Sequence, residues 1–193
     1  MNICVFGAAS KLIDDEYVKA VEIMGERLAK KGHNLVFGAG AQGLMGAAAR
    51  GFKKGGAKII GVIPEFFKAV DVEPIYNKCD ELIFTDTMRK RKAIMEERAD
   101  AFVIVPGGIG TFEELFEVLT LKQLGRHKKP IAIYNLNGYY DSMEAMLNNS
   151  VDEKFVNETC KTLYKYAIDL DDLIKYIDEN KHYDYSIEEL KKQ

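Results

Sequence analysis

The sequence predicts an α/β fold, a doubly wound parallel sheet with helices on both faces. Short apolar segments alternate with amphipathic segments along all 193 residues. The apolar segments lack the polar/apolar alternation of a strand with one solvated face, so they are typical of strands buried on both sides. Strands separated by helices favour a parallel sheet, and no linker or internal repeat divides the chain.

The same patterns place the elements in order. Strands are predicted over residues 2–6, 34–37, 58–63, 81–84, 101–105, 131–134 and 163–168. Helices are predicted over residues 14–31, from the second glycine loop to about 54, and over 88–98, 112–124, 139–148 and 171–179. In the first helix, Val21, Met24 and Leu28 follow helical spacing, and Gly32 ends it. We expect a single domain over residues 1–180 and a charged tail over residues 181–193.

The composition argues against several classes of protein. A formal net charge of −3 and a pI of about 5.7 give no bulk attraction to nucleic acid. Cys4, Cys79 and Cys160 are widely spaced and the three histidines are scattered, which argues against a disulfide framework and a metal site. With no signal-peptide pattern and no apolar run near the roughly 20 residues of a membrane span, we expect a cytoplasmic protein without a membrane segment.

Ligands of doubly wound sheets bind at the carboxyl ends of the strands, where this sequence places three glycine-bearing loops. The loops are GAAS (7–10), GAGAQGLMG (38–46) and PGGIGT (106–111). Glycine lets the backbone approach a phosphate closely, and the next helix supplies free N–H groups. Gly38, Gly40 and Gly43 match G-x-G-x-x-G, which predicts either a phosphate contact, for which Gly40 is the candidate, or tight packing of helix on strand.

The segment MRKRK, residues 88–92, begins a predicted helix with four consecutive cations. The positive end of the helix dipole disfavours cations there, and a bound phosphate would remove that penalty. A solvated basic face is the alternative interpretation. Neighbouring helical residues diverge, so at most two of the four cations can face one pocket, and the spacing does not choose which.

The segment PGGIGTFEEL, residues 106–115, supports two interpretations of Glu114. Thr111 and Glu114 have the spacing of a capping box, in which each side chain satisfies a backbone N–H group. Alternatively, Glu114 lies beside the glycine loop, where a carboxylate needs a cation partner or a chemical task. The apolar stripe of this helix is predicted to contain Phe112, Leu115, Phe116 and Leu119.

Together these motifs resemble the LONELY GUY (LOG) family, called possible lysine decarboxylase in older naming. The family motif P-G-G-x-G-T-x-x-E stands at residues 106–114, and the motif M-x-x-R-K stands at residues 88–92. The glycine loop and the segment QLGRHKKPIAIYNLNGYYD (123–141) also look like family segments. The resemblance extends from about Ile3 to about Ile177.

The resemblance implies a Rossmann-like fold, a homodimer, and no metal or redox cofactor. It also implies cytokinin riboside 5′-monophosphate phosphoribohydrolase activity, which hydrolyses the N-glycosidic bond of N6-modified AMP, and often of AMP itself, to the free base and ribose 5-phosphate. By motif position, Arg91 and Glu114 are the implied catalytic pair. The implied nucleotide-site residues are Lys92, Gly107, Gly108, Gly110, Thr111 and Thr120.

The chain departs from the family pattern at three places. Arg89 stands where histidine is common, and Leu121 and Lys122 stand where tryptophan and alanine are common. Residues 64–80 do not show the usual Gly-Glu element. The last two differences fall near where base recognition is expected, so they bear on the preference for prenylated adenine more than on the reaction.

Two other functions fit parts of the sequence. A molybdenum-cofactor carrier resembles this fold and its glycine loops, but a carrier does not need both Arg91 and Glu114. An NAD(P)-dependent oxidoreductase would use the second glycine loop, but it needs a substrate domain or catalytic constellation that the sequence lacks. We therefore predict a hydrolase acting on a nucleotide monophosphate, with no nucleic-acid or membrane partner.

Overall fold

The computed structural model describes residues 1–68 and 74–179, together with Glu188 and Leu190. Within these residues, seven strands form one parallel sheet in the order β4-β3-β2-β1-β5-β6-β7. The strands are β1 (Asn2–Phe6), β2 (Asn34–Phe37), β3 (Ile59–Pro64), β4 (Glu81–Thr85), β5 (Ala101–Ile104), β6 (Ile131–Tyr134) and β7 (Lys165–Ala167). The predicted fold class is confirmed, and each predicted strand is present to within about two residues.

Helices cover both faces of the sheet. In the described residues they are α1 (Asp15–Lys30), α2 (Gly43–Lys54), α3 (Met88–Arg98), α4 (Ile109–Gln123), α5 (Asp141–Asp152) and α6 (Leu170–Glu179). One face carries α1, α2 and α6, and the other carries α3, α4 and α5. The connection from β3 to β4 begins with a 3₁₀ helix at Glu65–Lys68, and residues 69–73 within it lie outside the described residues.

The central strand β1 explains why the strand sequences are apolar throughout. Side chains of successive strand residues point to opposite faces of the sheet. Ile3 and Val5 enter the core beneath α1 and α2, whereas Cys4 and Phe6 enter the core beneath α3 and α4. At the edge of the sheet, β4 is different, because Leu82 and Phe84 remain exposed.

The face that helix α4 buries matches the predicted one only in part. The buried residues are Thr111, Leu115, Val118 and Lys122, so only Leu115 of the predicted stripe is fully buried. Phe112 and Leu119 are partly buried against the same core, and Phe116 and Leu119 also line a groove against α5 and the 3₁₀ helix at Glu158–Leu163. Helix α4 has two apolar surfaces, one that packs on the sheet and one that faces α5. The sequence pattern does not distinguish them, so it predicted a single stripe.

The boundary predicted at residue 180 and most of the tail predicted over 181–193 lie outside the described residues. Leu190 is described, and it is buried against Cys160 and Leu163. All three cysteines are free thiols. None of the described helices combines the length and the apolar character needed to cross a bilayer.

Candidate active site

The candidate site lies at the carboxyl end of the sheet, where β1 and β5 are neighbours and the chain changes its winding direction. This position is the usual ligand crevice of doubly wound sheets. The loops that follow the two strands are tied together, because the backbone N–H of Ala8 donates to the carbonyl of Pro106 at 3.1 Å. The loop after β5 therefore has a fixed position at the start of α4.

Arg91 is the buried cation of this site. Thr87 caps α3 by accepting from the Lys90 backbone N–H at 3.2 Å, so Arg91 falls in the first turn. The Nε atom of Arg91 donates to the carbonyl of Val62 at 3.1 Å. Its Nη1 atom lies 3.4 Å from Oε1 of Glu114, and the two side chains are only 9% and 12% exposed. The structure thus brings together the two residues implied as the catalytic pair.

Glu114 is not a helix cap. The helix begins at Ile109, with Gly108 at the N-cap position and no side-chain cap. Thr111 therefore lies inside the first turn, buried, where its side chain packs over Gly107. The capping-box interpretation is wrong because the glycines let the helix begin earlier, and Glu114 points to Arg91 instead.

The surroundings of Glu114 bring its pKa close to neutral pH. Burial raises the pKa of Glu114 to about 7, although the Arg91 guanidinium acts to lower it. Smaller influences on this pKa come from Glu113 and Glu117, which raise it, and from Lys92, which lowers it. A carboxyl group with a pKa in this range can exchange protons at physiological pH, which is typical of acid–base groups in active sites.

Lys92 is surrounded by carboxylates. Its Nζ atom forms an ion pair with Glu113 and lies 2.5 Å from Oε2 of Glu117. Burial acts to lower the pKa of Lys92, but hydrogen bonds to Glu113 and Glu117 outweigh it and leave the pKa raised. Lys92 therefore carries a charge that two neighbouring carboxylates already balance.

The four cations that begin α3 do not face one pocket. Arg91 and Lys92 turn toward α4, whereas Lys90 pairs with Asp86 at 3.1 Å and Arg89 is exposed. Carboxylates of this chain thus supply negative charge near three of these cations. A bound anion is therefore not needed to balance the four cations. The two cations adjacent to the site are Arg91 and Lys92.

The amino end of α4 remains open. Among the described residues, no acceptor receives the backbone N–H groups of Ile109, Gly110 and Thr111. Gly108 and Gly110 are exposed, and a Cβ atom at either would meet no atom within 4 Å. Gly107 is buried, and its carbonyl accepts from the Tyr139 hydroxyl at 2.7 Å. This loop combines free donors, space and the positive end of a helix dipole.

The second glycine loop is closed by comparison. The backbone N–H groups of Leu44 and Met45, at the start of α2, both donate to the carbonyl of Ala8, at 2.8 and 3.2 Å. Gly43 has a φ of +56°, and a Cβ there would lie 2.5 Å from the same carbonyl oxygen. Gly40 is buried and forms a bridge with Ile75. The glycines of this loop are closely packed, a geometry that fits the packing interpretation of G-x-G-x-x-G, and the phosphate contact of Gly40 stays a prediction.

A cavity of about 300 Å³ adjoins the other side of the loop at Gly107 and Gly108. Asp14, Tyr17 and Tyr139 line it, with the two tyrosine rings in an edge-to-face arrangement at 6.4 Å. Sequence reasoning missed these residues, because Tyr17 fits the apolar spacing of α1 and Tyr139 fits a helix start. No signal in the sequence marks them as neighbours.

Thr120 does not join this site in a single chain. It lies on an exposed part of α4 and lines the groove that contains Phe116, Gln123 and Cys160. Thr120 lies six positions after Glu114, which is about 9 Å along a helix, and the two side chains point to different sides of α4. The structure therefore groups Arg91, Lys92, Glu114 and the glycine loop without Thr120.

A family model described as possible lysine decarboxylase matches residues 45–177, more than half of the chain. The chain belongs to this family. Cytokinin riboside 5′-monophosphate phosphoribohydrolase LOG2 of Arabidopsis thaliana is 37% identical over 186 residues, which cover 95% of this chain and 86% of that protein. Cytokinin riboside 5′-monophosphate phosphoribohydrolase LOG of Oryza sativa subsp. japonica is 37% identical over 180 residues, which cover 92% of this chain and 73% of that protein. The resemblance to the LOG family is confirmed.

Solved structures share the fold of this family member. The molybdenum cofactor carrier protein MCP of Chlamydomonas reinhardtii has a TM-score of 0.69 at 22% identity, over 92% of this chain and 96% of that chain. DNA processing protein A of Helicobacter pylori has a TM-score of 0.54 at 14% identity, over 94% of this chain and 82% of that chain. At these identities the likeness shows the fold alone.

Proposed function

We propose that the protein is a phosphoribohydrolase that cleaves the N-glycosidic bond of adenosine 5′-monophosphates, including N6-modified ones. Water supplies a hydroxyl to C1′ of the ribose, and its remaining proton goes to the departing base. The observation that carries the proposal is the buried pair of Arg91 and Glu114 beside the open amino end of α4. The names of the LOG relatives support the substrate class.

The 5′-phosphate is proposed to bind at the start of α4. The free N–H groups of Ile109, Gly110 and Thr111 are donors, and the helix dipole favours an anion there. Gly108 and Gly110 leave space for close approach of the ligand. Since these groups belong to the same helix as Glu114, a bound phosphate would hold the ribose at a fixed distance from the carboxylate.

Glu114 is proposed to act on the ribose. Breaking the N-glycosidic bond builds positive charge on the sugar, and an ionised carboxylate can stabilise that charge, activate water or attack C1′ directly. All three roles need the ionised form. Arg91 supports that form, because its guanidinium acts to lower the pKa that burial raises.

The remaining predicted site residues receive narrower roles. We propose that Lys92 balances the charges around Glu114, because a phosphate contact would require its release from Glu113 or Glu117. Gly40 is proposed to shape its loop. We leave Thr120 outside the site of a single chain, since it lines a different groove.

The substitution Glu114→Gln tests the reaction. Wild-type protein incubated with AMP, and separately with isopentenyladenosine 5′-monophosphate, should release free base and ribose 5-phosphate, measured by chromatography and a reducing-sugar assay. Because the amide cannot ionise, kcat/KM should fall by about 100- to 10,000-fold in the variant, the range for loss of a positioned acid–base group.

Glu113→Gln is the matched control, because it removes the neighbouring carboxylate, which is 54% exposed and contacts Lys92 rather than Arg91. It should keep most of the activity. Release of base from neither nucleotide by the wild-type protein would contradict the proposed reaction, and full activity in Glu114→Gln would contradict the role of that residue.

We also propose that the protein works as a homodimer in the cytoplasm. The resemblance to the LOG family supports the dimer, together with the exposed apolar side chains of Ile109, Met146 and Phe155 on and near α4 and α5. Free thiols at Cys4, Cys79 and Cys160 fit a reducing compartment.

A further inference from the structure

Gly38 lies directly beneath the Arg91 side chain. It follows the last residue of β2, and its φ is not among the positive values that favour glycine. A Cβ atom at this position would overlap Nη2 of Arg91 and lie 2.8 Å from its Cζ atom and 3.4 Å from its Nε atom. The space that the missing side chain leaves is therefore occupied by the guanidinium group.

We propose that Gly38 is a positioning residue, which sets where the Arg91 guanidinium meets Glu114. The inference rests on the proposed function, because it concerns the same pair of residues. It gives the first glycine of the loop a role that does not involve a phosphate. The Arg91 guanidinium packs against Gly38, and its Nε atom donates a hydrogen bond to the carbonyl of Val62. Its Nη1 atom lies 3.4 Å from Glu114.

The consequence of adding a methyl group here follows from what it would meet. The overlapping atoms belong to the far end of a long side chain, not to the backbone. An arginine end can move by rotating its torsion angles, so Gly38→Ala should fold, with the guanidinium displaced from its place. A change of about 1 Å in such a position can lower a rate about 100-fold.

The charge state of Glu114 reports the position of the guanidinium. The ionisable groups that influence or face Glu114 come from three elements: Arg91 and Lys92 of α3, Glu113 and Glu117 of α4, and the buried Cys4 of β1. Of the charged neighbours, Arg91 has the largest influence. Moving it away should therefore raise the pKa of Glu114 further, with the other groups unchanged.

The first experiment measures Gly38→Ala in two ways. Base release from AMP should show kcat/KM reduced by about 100-fold. In protein labelled with ¹³C at glutamate carboxyl carbons, the signal lost in Glu114→Gln identifies Glu114, and its NMR titration should give a higher pKa in Gly38→Ala than in the wild type. Thermal unfolding should remain close to that of the wild type.

The second experiment separates positioning from a general structural effect. In an Arg91→Ala background there is no guanidinium to displace, so adding Gly38→Ala should change neither the pKa of Glu114 nor the residual activity. Equal effects in the two backgrounds would overturn the proposal. So would a Gly38→Ala variant with wild-type activity, or one that loses activity with the pKa of Glu114 unchanged.

Gly25→Ala is the matched control for steric crowding. A Cβ at Gly25 would lie 2.7 Å from the carbonyl of Ala48, between α1 and α2 and away from Arg91. It should lower the thermal stability without moving the pKa of Glu114. If the wild type releases no base, the proposed function fails, whereas the NMR titration still tests whether Gly38 positions Arg91.

Discussion

At the scale of single residues, burial and charge act on Glu114 in opposite directions. Burial favours its protonated form, and Arg91 favours its ionised form, with a resulting pKa of about 7. A carboxyl group at this balance is ionised in a useful fraction of molecules at neutral pH and still exchanges protons readily. The glycine beneath Arg91 and the carbonyl of Val62 fix the geometry on which that balance depends.

The pH dependence of the reaction should follow Glu114. If the ionised form acts, kcat/KM for AMP should rise with pH and level off above about 7. In Glu114→Gln the residual activity should lack this rise. A wild-type profile that falls as the pH rises through this range would contradict an ionised Glu114, and would favour a role for its protonated form.

The same pKa has a consequence for stability. The folded-state pKa of Glu114 is raised above its ordinary value of 4.5. The contribution of Glu114 to the free energy of unfolding is therefore fully present below a pH of 4.5, and it is lost as the pH rises through about 7. The thermal stability of Glu114→Gln relative to the wild type should therefore increase over this interval. Scanning calorimetry at several pH values measures the difference.

Sequence patterns alone could not assign several residue roles. The spacing of MRKRK limited the pocket-facing cations to two but could not choose them, because the choice depends on where α4 lies. The capping box failed for a local reason, since glycine at position 108 allowed α4 to begin at Ile109. Tyr139 and Asp14 meet at one cavity only because loops far apart in sequence fold together.

At the scale of elements, helix α4 carries the candidate site at its amino end and a buried lysine, Lys122, near its carboxyl end. Its amino end offers free N–H groups, and Glu114 lies within its second turn. Near its carboxyl end, Lys122 is only 9% exposed, and no hydrogen bond or ion pair joins its ammonium group to a described residue. Burial lowers the pKa of Lys122 to about 8. Because burying a cation without a partner among the described residues is costly, replacing Lys122 should make the protein more stable.

Lys122→Met should stabilise the protein. The lowered pKa corresponds to a cost of at most about 3 kcal/mol near neutral pH, which methionine of similar length would remove. The unfolded chain binds the proton more tightly, so wild-type stability should rise between a pH of about 8 and 10.5, and the advantage of the variant should shrink over that range.

Urea unfolding at several pH values measures this difference. The exposed Lys161 provides the control, and Lys161→Met should change stability by less than about 0.5 kcal/mol. A destabilised Lys122→Met variant would contradict the view that burial of the Lys122 ammonium group destabilises the fold.

At the scale of the whole molecule, the order of strands creates the site. β1 and β5 are neighbours in the sheet although three strands lie between them in sequence, so the loops after both strands reach the same crevice. Arg91 arrives from α3 and Glu114 from α4, which pack side by side on one face of the sheet. A pair 23 residues apart in sequence thereby becomes an ion pair.

The assembly should have twice the mass of the 21.8 kDa chain. The dimer is expected because the LOG resemblance implies it and apolar side chains such as Phe155, which is 81% exposed, remain uncovered in one chain. Sedimentation velocity over a range of concentrations measures the mass. A monomer throughout that range would contradict the proposed homodimer.

The sequence by itself determined the class of fold, the strands to within about two residues, the family, and the identities of Arg91 and Glu114 as candidates. These properties are local or are carried by motifs, since the apolar pattern of a strand and the order of residues in a loop can be read along the chain. The tertiary structure decided which cations face Glu114, that the second glycine loop packs instead of opening, and that Gly38 lies under Arg91. These properties depend on distances between elements, and such distances are set only when the helices pack on the sheet.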